Sequence, residues 1–506
     1  MDGITTTLSF FYLLLLLVMT GFGLNLFYLT GVSLHCSFRN RRASAGSKEH
    51  PPENLLKPPR FPRNWPRVLI QLPVYNEPRV IERLLDAVSA IRYPSPLLEI
   101  QILDDSTDGT TELIRSHLER RGESGRFELL RRGNRDGFKA GALAHGLARS
   151  KAEFIAILDA DFSPRPDFLE RLLPELMDHP EIGFIQARWG FINRNHSLLT
   201  RLIAITLSLH FSIEQHARSE GGFILNFNGT AGILRRSAIE AAGGWEGDTL
   251  TEDMDLSYRM ACSGFLGKYR ADYSVPCEIP STFRAFRLQQ KRWTQGGLQT
   301  ALKLYPRILA SRRLSWPQKA QAGLHLFHGL VYPMAFAIHW IALPLALRGA
   351  FHLHWNQLFI CFLVLNFCAR LCYMVADFAN PDERPTLLNF FLISWVSWLG
   401  ISIAASNTLA VFDAIRGKRS TFVRTPKQGQ STSSPASEET RPDAYAWASA
   451  LPAVLCLGVA LQMVTGFRSW LAVSFFTLTV GYALPIWISA TTVGRIRKPE
   501  PSSSAG

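Results

Sequence analysis

Charged residues are scarce in this sequence, and six long stretches lack them altogether. Asp, Glu, Lys and Arg together make up 19% of the 506 residues. None of the four occurs in Leu8 to Leu34, Ala320 to Leu347, Gly349 to Ala369, Pro385 to Phe412, Ala446 to Phe467 or Ser469 to Gly494. Each stretch reaches the length of about 20 apolar residues that crosses a bilayer as a helix. The sequence therefore predicts an integral, multi-pass membrane protein.

Paired cysteines and nucleic-acid motifs are also missing. The seven cysteines show neither the spacing of a disulfide framework nor that of a zinc site. The net charge of +13 comes from basic residues that are spread along the chain, and no RNP, zinc-knuckle or basic-helix pattern accompanies it. We expect no nucleic-acid partner. We attribute the positive charge to membrane topology and to attraction for anionic lipid and a phosphorylated small molecule.

The first apolar stretch predicts a membrane anchor and not a cleaved signal peptide. No basic segment precedes it, its apolar run is too long, and Arg39, Arg41 and Arg42 follow it. Because cytoplasmic loops collect Lys and Arg, the segment after this helix is expected in the cytoplasm. The next domain then faces the cytoplasm, at the plasma membrane or, in a bacterium, at the inner membrane.

Composition divides the chain into membrane and soluble parts. The expected segments are a transmembrane helix at 1–38, a cytoplasmic linker at 39–66, a soluble α/β domain at 67–294, an amphipathic interface helix at 295–318, two transmembrane helices in 319–378, a helix at 385–416, loops in 417–444, two transmembrane helices in 445–494 and a cytoplasmic tail at 495–506. A surface helix packed on the soluble domain is the alternative for 295–318.

The run from Pro385 to Phe412 brings two rules into conflict. Hydropathy predicts a sixth span. If the segment after the first helix is cytoplasmic, the N-terminus is outside, and six spans would place the basic residues at Arg416 and from Arg495 onward on or beyond the non-cytoplasmic face. If this run lies along the interface or re-enters, five spans remain and every basic cluster is cytoplasmic. We favour five spans, with six as the alternative.

Short apolar runs alternate with helical patterns in the soluble domain. The runs are Arg67 to Pro73, Leu98 to Asp104 and Phe154 to Asp161, and the helical patterns include Pro78 to Ile91, Thr110 to Arg121 and Ala140 to Arg149. Such runs suit buried parallel strands. The alternation predicts a doubly wound α/β domain, whose ligands bind at the carboxyl ends of the strands.

Acidic residues follow two of these predicted strands. Asp159 and Asp161 flank one residue and can hold Mg²⁺ or Mn²⁺ against phosphate oxygens, although such a pair can also simply cap a helix. Asp104 and Asp105 can accept hydrogen bonds from a nucleobase or ribose, with a turn and helix cap as the alternative. Lys139 opens a helix, where its ammonium and the backbone amides can meet phosphate. Together these groups suit a nucleotide sugar.

Two further motifs supply candidates for proton transfer and acceptor binding. Asp253 is the candidate base, with Glu252 and Asp255 as rivals and an acidic first helical turn as the alternative. Gln289, Arg292 and Trp293 share one helical face because they are three and four residues apart.

These three side chains differ in what they offer to a ligand. Arg292 can pair with phosphates, Gln289 can donate or accept a hydrogen bond, and Trp293 offers a flat surface to a sugar ring. A tryptophan anchored at the membrane interface is the alternative.

The motifs resemble those of the processive, membrane-embedded family 2 inverting glycosyltransferases: the cellulose, hyaluronan and chitin synthases and the plant cellulose-synthase-like mannan and glucan synthases. The resemblance rests on Leu72-Pro73-Val74-Tyr75-Asn76-Glu77, Asn228-Gly229-Thr230-Ala231-Gly232 and Gln289-Gln290-Lys291-Arg292-Trp293. It covers about Val68 to Trp293 densely. Two glutamines followed by a basic residue, Arg and Trp are most similar to the mannan and glucan branch.

The resemblance implies a cytoplasmic GT-A-type domain set against a membrane channel. On matching positions it implies nucleotide-sugar contacts at Asp104, Asp105, Lys139, Asp159, Gln289 and Arg292, metal ligands at Asp159 and Asp161, the base at Asp253, and acceptor contacts at Asn228, Gly229, Thr230 and Trp293. Phe422, Thr425 and Lys427 lie in a segment similar to the gating loop that cellulose synthases write FxVTxK. That loop would be cytoplasmic, which again favours five spans.

We therefore expect a metal-dependent, inverting, processive synthase that uses UDP-glucose or GDP-mannose to extend a β-linked polysaccharide and exports the polymer across the membrane. Its partners would be the growing glycan, the lipid bilayer and export proteins. Transfer of a single sugar to a lipid is the alternative within the enzyme class, and a channel without catalysis is the alternative outside it. The intact acidic motifs argue against the channel.

Overall fold

A seven-stranded mixed sheet forms the centre of the soluble domain. The computed structural model describes residues 3–46, 65–348, 369–376, 387–418, 443–465 and 469–496. The strands are β1 (Val68–Val74), β2 (Leu98–Asp104), β3 (Glu128–Arg131), β4 (Phe154–Ile157), β5 (Ile182–Phe191), β6 (Gly232–Arg235) and β7 (Leu266–Cys277). They are ordered β3-β2-β1-β4-β6-β5-β7. The three strands expected from apolar runs are confirmed as β1, β2 and β4.

Strand direction places the candidate acids at one edge. Strands β1 to β4 pair in parallel, whereas β6 runs antiparallel to both β4 and β5. In the register of β1 with β2, Val74 lies beside Asp104. The chain reverses its winding between β1 and β4, so a crevice forms at the carboxyl ends of these strands.

Helices cover both faces of the sheet, as the doubly wound prediction requires. The helices up to residue 326, which include the N-terminal candidate span α1, are α1 (Gly3–Gly46), α2 (Ile81–Ser89), α3 (Thr110–Arg120), α4 (Phe138–Leu147), α5 (Phe168–Asp178), α6 (Leu198–Leu209), α7 (His216–Glu220), α8 (Arg236–Ala241), α9 (Glu252–Ser263), α10 (Phe283–Ala310) and α11 (Trp316–Leu326). A π-helical turn, His210–Gln215, joins α6 to α7. Side chains of β1 alternate between two cores, with Ile70 in the core under α2, α3 and α5, and Leu69 in the core under α4 and α6.

Five helices in the described part of the chain are long and apolar enough to cross a membrane. They are Gly3–Arg39, His328–Leu347, Leu388–Ile415, Ala444–Val464 and Ala472–Thr491. The four that follow the soluble domain belong to α12 (Val331–Leu347) with the turn before it, α13 (Leu387–Ile415), α14 (Ala444–Ala448) with α15 (Ala450–Thr465), and α16 (Ser469–Ile496). The candidate spans fit the expected membrane protein.

Several expectations fall partly or wholly outside the described residues. The apolar run from Gly349 to Ala369 does so almost entirely, as do the gating-like residues Phe422, Thr425 and Lys427. The run from Pro385 to Phe412, for which we favour an interfacial or re-entrant helix, belongs to α13 from Leu387 onward. By length and composition α13 also qualifies as a span.

Helix α10 runs through the boundary expected at residue 294. It is one helix of 28 residues that carries both the Gln-Gln-Lys-Arg-Trp motif and most of the expected interface helix. Its second half buries Leu298, Ala301 and Leu304 against Tyr258 of the soluble domain and Val411 of α13. Helix α10 therefore packs between the soluble domain and the membrane part.

Candidate active site

A cavity opens at the carboxyl ends of β1 and β4, between α4, α9 and α10. It collects most of the residues singled out from the sequence: Asp105, Lys139, Asp159, Asp161, Asn228, Gly229, Asp253, Gln289, Arg292 and Trp293. Asp104 and Thr230 are not among its lining residues. The motifs come from points that are far apart in sequence, and the sheet topology brings them together.

Lys139 links the start of α4 to two loops that line the cavity. Its ammonium donates to Oδ1 of Asp159 at 2.6 Å and to the carbonyl of Gly229 at 3.0 Å. Thr230 accepts the backbone N–H of Asp159 at 2.9 Å through its hydroxyl. Burial lowers the pKa of Lys139, but the charges of Asp159, Glu252 and others raise it by more, so the net shift is upward. Lys139 therefore stays charged beside the carboxylates.

The Asp159 and Asp161 pair suits a hard divalent cation. Both side chains line the cavity, and Asp161 is buried. Carboxylate oxygens are the ligands that Mg²⁺ and Mn²⁺ prefer. A carboxylate offers about four lone-pair sites, so Asp159 can accept the hydrogen bond from Lys139 and still bind a metal ion.

A second acidic cluster is already neutralised by a lysine. Glu246, Asp248 and Asp255 bring carboxylate oxygens within 4.8 Å of one another. The ammonium of Lys303 lies among them, at 2.5, 2.7 and 2.9 Å from the three side chains. Because that ammonium occupies the position a cation would take, this cluster holds α10 to the soluble domain and is not a metal site.

Asp253 combines access to the cavity with a raised pKa. Its Oδ1 accepts the backbone N–H of Met254 at 2.8 Å, in the first turn of α9. Burial, followed by the charge of Glu252, raises the pKa of Asp253 to about 7, against the opposing charge of Lys139. A carboxylate with a pKa near neutral is suited to accept a proton at physiological pH.

The two rivals of Asp253 occupy different positions. Glu252 also lines the cavity. Asp255 is fully buried and is bound by Arg259 at 2.6 Å as well as by Lys303. Asp255 is therefore held by two cations and does not line the cavity, whereas Glu252 raises the pKa of Asp253.

Gln289, Arg292 and Trp293 line the cavity from α10, on one helical face as predicted. Burial lowers the pKa of Arg292, and the charges of Glu252, Asp159 and Asp253 oppose that shift. The guanidinium thus balances the carboxylates across the cavity. The indole of Trp293 packs against the main core while it borders the cavity.

The two acids after β2 have separate surroundings. Asp104 is buried, and its oxygens accept the backbone N–H of Ser106 at 2.9 Å and the hydroxyl of Thr111 at 2.6 Å. These bonds fix the start of α3, outside the cavity. Asp105 lines the cavity and pairs with Arg132, whose Nε donates at 3.0 Å. Asp105 is therefore better placed than Asp104 to meet a bound nucleotide.

The loop before β6 supports the cavity through its backbone. Oδ1 of Asn228 accepts from Gln215 at 3.0 Å and from Asn226 at 2.9 Å, which orients the amide. Gly229 has φ +79°, and a Cβ there would lie 2.7 Å from Oδ2 of Asp253. Only glycine allows this close approach without strain.

The lining residues that sequence reasoning missed include Tyr75, Arg135 and Glu278. Arg135 stacks on Tyr75, with Cζ 3.4 Å from the ring centroid, and both line the cavity. Glu278 follows β7 and pairs with Arg83 at 2.6 Å. Tyr75 lies in the opening motif, but nothing in the sequence marks Arg135. Glu278 would have required a prediction of β7, whose polar and apolar residues give no clear strand pattern.

Comparison with known proteins agrees with this geometry. Residues 154–377 match the family model described as "Glycosyl transferase family group 2". Glucomannan 4-beta-mannosyltransferase 2 of Arabidopsis thaliana is 40% identical over 285 residues, which are 55% of this chain and 52% of that protein. Glucomannan 4-beta-mannosyltransferase 1 of Cyamopsis tetragonoloba is 38% identical over 286 residues, which are 55% of this chain and 53% of that protein. The chain spans about half the length of these curated relatives.

A solved structure shares the fold. The mannosyltransferase PcManGT from Pyrobaculum calidifontis, in complex with GDP-Man and Mn²⁺, superposes with a TM-score of 0.51 at 21% identity, and the match covers 77% of this chain and all of that one. The expected GT-A-type α/β fold is confirmed. The family model covers the elements from β4 to α10 that build most of the cavity, and these curated relatives are about 40% identical, so this part of the chain is similar to family 2 glycosyltransferases.

Proposed function

We propose that the protein transfers mannose from GDP-mannose, with inversion, to a growing β-linked polysaccharide. UDP-glucose is the second donor in this proposal. The observation that carries it is the cavity in which Asp159, Asp161 and Lys139 face Arg292 and Asp253. The mannosyltransferase names of the relatives favour mannose over glucose.

The cavity can bind a nucleoside diphosphate by charge and by hydrogen bonding. Lys139 and Arg292 place two cations beside the position proposed for the diphosphate, and Arg can form a two-pronged contact with phosphate oxygens. Asp105 can accept hydrogen bonds from the nucleobase or ribose. Trp293 offers an apolar surface to a sugar ring of the acceptor.

Asp159 and Asp161 would hold Mg²⁺ or Mn²⁺. When bound, the cation neutralises the charge that develops on the leaving diphosphate. The remaining charge is balanced by the chain itself, because Lys139 donates to Asp159 and Arg292 interacts electrostatically with Asp159 and Asp161.

Asp253 serves as the base in the transfer step. It takes the proton of the acceptor hydroxyl, whose oxygen forms a bond to C1 of the sugar. The bond between C1 and the diphosphate oxygen breaks, and the electron pair leaves with the nucleoside diphosphate. Attack from the face opposite the leaving group inverts the configuration at C1. A pKa of about 7 suits this role, because the group is largely ionised at slightly alkaline pH and still basic enough to take the proton.

We further propose that the cavity faces the cytoplasm and that the polymer leaves through the membrane part. The basic residues after the first helix support this orientation. Helix α10 lines the cavity and also packs on α13, so the cavity lies next to the membrane part, which supports this route.

A donor panel tests the proposal. Purified protein is incubated with labelled GDP-mannose, UDP-glucose and other UDP- and GDP-sugars in the presence of Mg²⁺ or Mn²⁺, and the product's linkage and length are measured. We expect long β-linked chains that contain mannose. If the product is a single sugar on a lipid, polymer synthesis is wrong and the protein is a glycosyltransferase with a lipid acceptor. Absence of transfer from every donor would contradict both.

A further inference from the structure

Helix α10 presents two faces that are nearly opposite. At about 100° per residue, Gln289, Arg292 and Trp293 point toward the cavity, which they line. A second row, Arg287, Lys291 and Gln295, is spaced by four residues, and none of these three lines the cavity. The second row contacts the chain that follows the soluble domain.

Arg287 makes the strongest contact of this row. Its Nε and Nη2 donate to the two oxygens of Asp443, each at 3.0 Å. The two side chains are only 14% and 7% exposed. Its guanidinium carbon also lies 4.7 Å from the ring centroid of Tyr445. Such a two-pronged pair fixes both distance and orientation.

The contact ties α10 to two membrane-part helices at once. The hydroxyl of Tyr445 donates to the carbonyl of Ser402 at 3.1 Å and accepts the backbone N–H of Ser406 at 3.2 Å. Ser402 and Ser406 belong to α13, whereas Asp443 caps α14 by accepting the N–H of Tyr445. Arg287 therefore lies where α10, α13 and α14 meet.

The other two residues of the row contact the end of α13 and the residues just after it. Lys291 pairs with Asp413 at 3.6 Å, and Gln295 donates to the carbonyl of Lys418 at 3.1 Å. Helix α13 ends at Ile415, the described chain continues to Lys418, and it resumes at Asp443. Both points are thus anchored to the face of α10 that lies opposite the cavity.

We propose that Arg287 and Asp443 are positioning residues for the transfer reaction. Their ion pair fixes the rotation of α10 about its axis, and this rotation determines where Arg292 and Trp293 lie in the cavity. The membrane part thereby sets the geometry of the active site through a single helix. This inference rests on the proposed function for its rate measurement but not for its structural measurement.

The test compares variants of the pair with a matched pair elsewhere. Arg287→Ala is expected to lower kcat about 10-fold or more, because a displacement of about 1 Å at a reacting group can cost about 100-fold. The KM for the donor changes less, since Lys139 and Asp105 are not on α10. Arg287→Lys keeps the charge but loses the two-pronged hydrogen bond to Asp443, so its kcat falls between those of the wild type and Arg287→Ala. The charge swap, Arg287→Glu with Asp443→Arg, restores part of the rate.

The control is Arg92→Ala. Arg92 makes a similar two-pronged pair with Glu170, at 3.0 and 2.6 Å, on an element remote from α10. Its removal breaks a two-pronged ion pair of the same geometry without touching the cavity. Arg92 is 59% exposed against 14% for Arg287, so the loss of stability is smaller. The kcat per folded molecule, which corrects for that difference, stays at the wild-type level. A kcat for Arg287→Ala that matches this control would overturn the inference.

Hydrogen exchange supplies a readout that does not depend on the reaction. We expect faster amide exchange at residues 287–295 in Arg287→Ala, with recovery in the charge swap and no change in Arg92→Ala. Equal exchange in wild type and Arg287→Ala would overturn the inference. If the wild type transfers no sugar, the proposed function fails, and this measurement still decides whether the pair positions α10.

Discussion

Helix α10 approaches the segment before α9 so closely at Gly296 that no side chain fits between them. A Cβ at this position would lie 2.6 Å from Cγ2 of Thr251 and 2.9 Å from its backbone nitrogen. Carbon atoms in ordinary contact are about 3.5–4.0 Å apart, so Gly296→Ala creates an overlap of about 1 Å. Because backbone is among the atoms contacted, the two segments must move apart.

The size of the effect follows from two opposing contributions. Overpacking costs about 1–3 kcal/mol, whereas replacing glycine with alanine inside a helix stabilises by about 1 kcal/mol. The free energy of unfolding should therefore fall by about 0–2 kcal/mol. Activity should suffer more. Thr251 immediately precedes Glu252 and Asp253, and a shift of about 1 Å between Asp253 and Trp293 is expected to reduce the rate about 100-fold.

The adjacent glycine provides the control. Within the described part of the chain, nothing lies within 4 Å of a Cβ at Gly297. Gly297→Ala should keep the wild-type rate and gain up to about 1 kcal/mol of stability. Thermal unfolding in detergent and initial rates of sugar transfer measure both effects. Wild-type activity in Gly296→Ala, or equal losses in the two variants, would refute the close-packing argument.

Three further predictions concern the cavity itself. The rate of transfer should rise with pH through about 7 as Asp253 ionises. Because the charge of Glu252 raises the pKa of Asp253, Glu252→Gln should move this rise to lower pH. A pH profile that does not move in this variant would contradict the role of Glu252. Gly229→Ala should slow transfer but keep GDP binding, since its Cβ would press on Asp253; calorimetry and initial rates separate the two. Chelation of divalent cations should abolish transfer. Asp161→Asn should raise the Mn²⁺ concentration for half-maximal rate about 10-fold or more. An unchanged Mn²⁺ concentration for half-maximal rate would exclude Asp161 as a metal ligand.

The first half of the fold was predictable because its signals are local. Strands β1, β2 and β4 are buried on both faces, so they read as apolar runs, and the helices between them follow amphipathic patterns. Strand β5 contains Gln186 and Arg188, both buried and bonded to backbone carbonyls. These hydrogen bonds allow polar residues to lie in a core strand, and no sequence pattern predicts such bonds.

The site was predictable in composition but not in detail. Asp159, Lys139 and Asp253 were identified from motifs, and the structure places them together. Which of two adjacent acids enters the cavity depends on local bonds. Asp104 is held at the end of β2 by hydrogen bonds from Ser106 and Thr111, while its neighbour Asp105 lines the cavity. Likewise, the spacing within α10 predicted one functional face but not the ion pair on the other.

The most direct test of the proposed mechanism is a comparison of wild type with Asp253→Asn at slightly alkaline pH. GDP binding and transfer from labelled GDP-mannose are measured on the same purified samples. Asparagine keeps the shape of the side chain but cannot take the acceptor proton. We predict that GDP binds both proteins with similar affinity and that only the wild type extends a β-linked glycan. Sustained turnover by Asp253→Asn would contradict its role as the base.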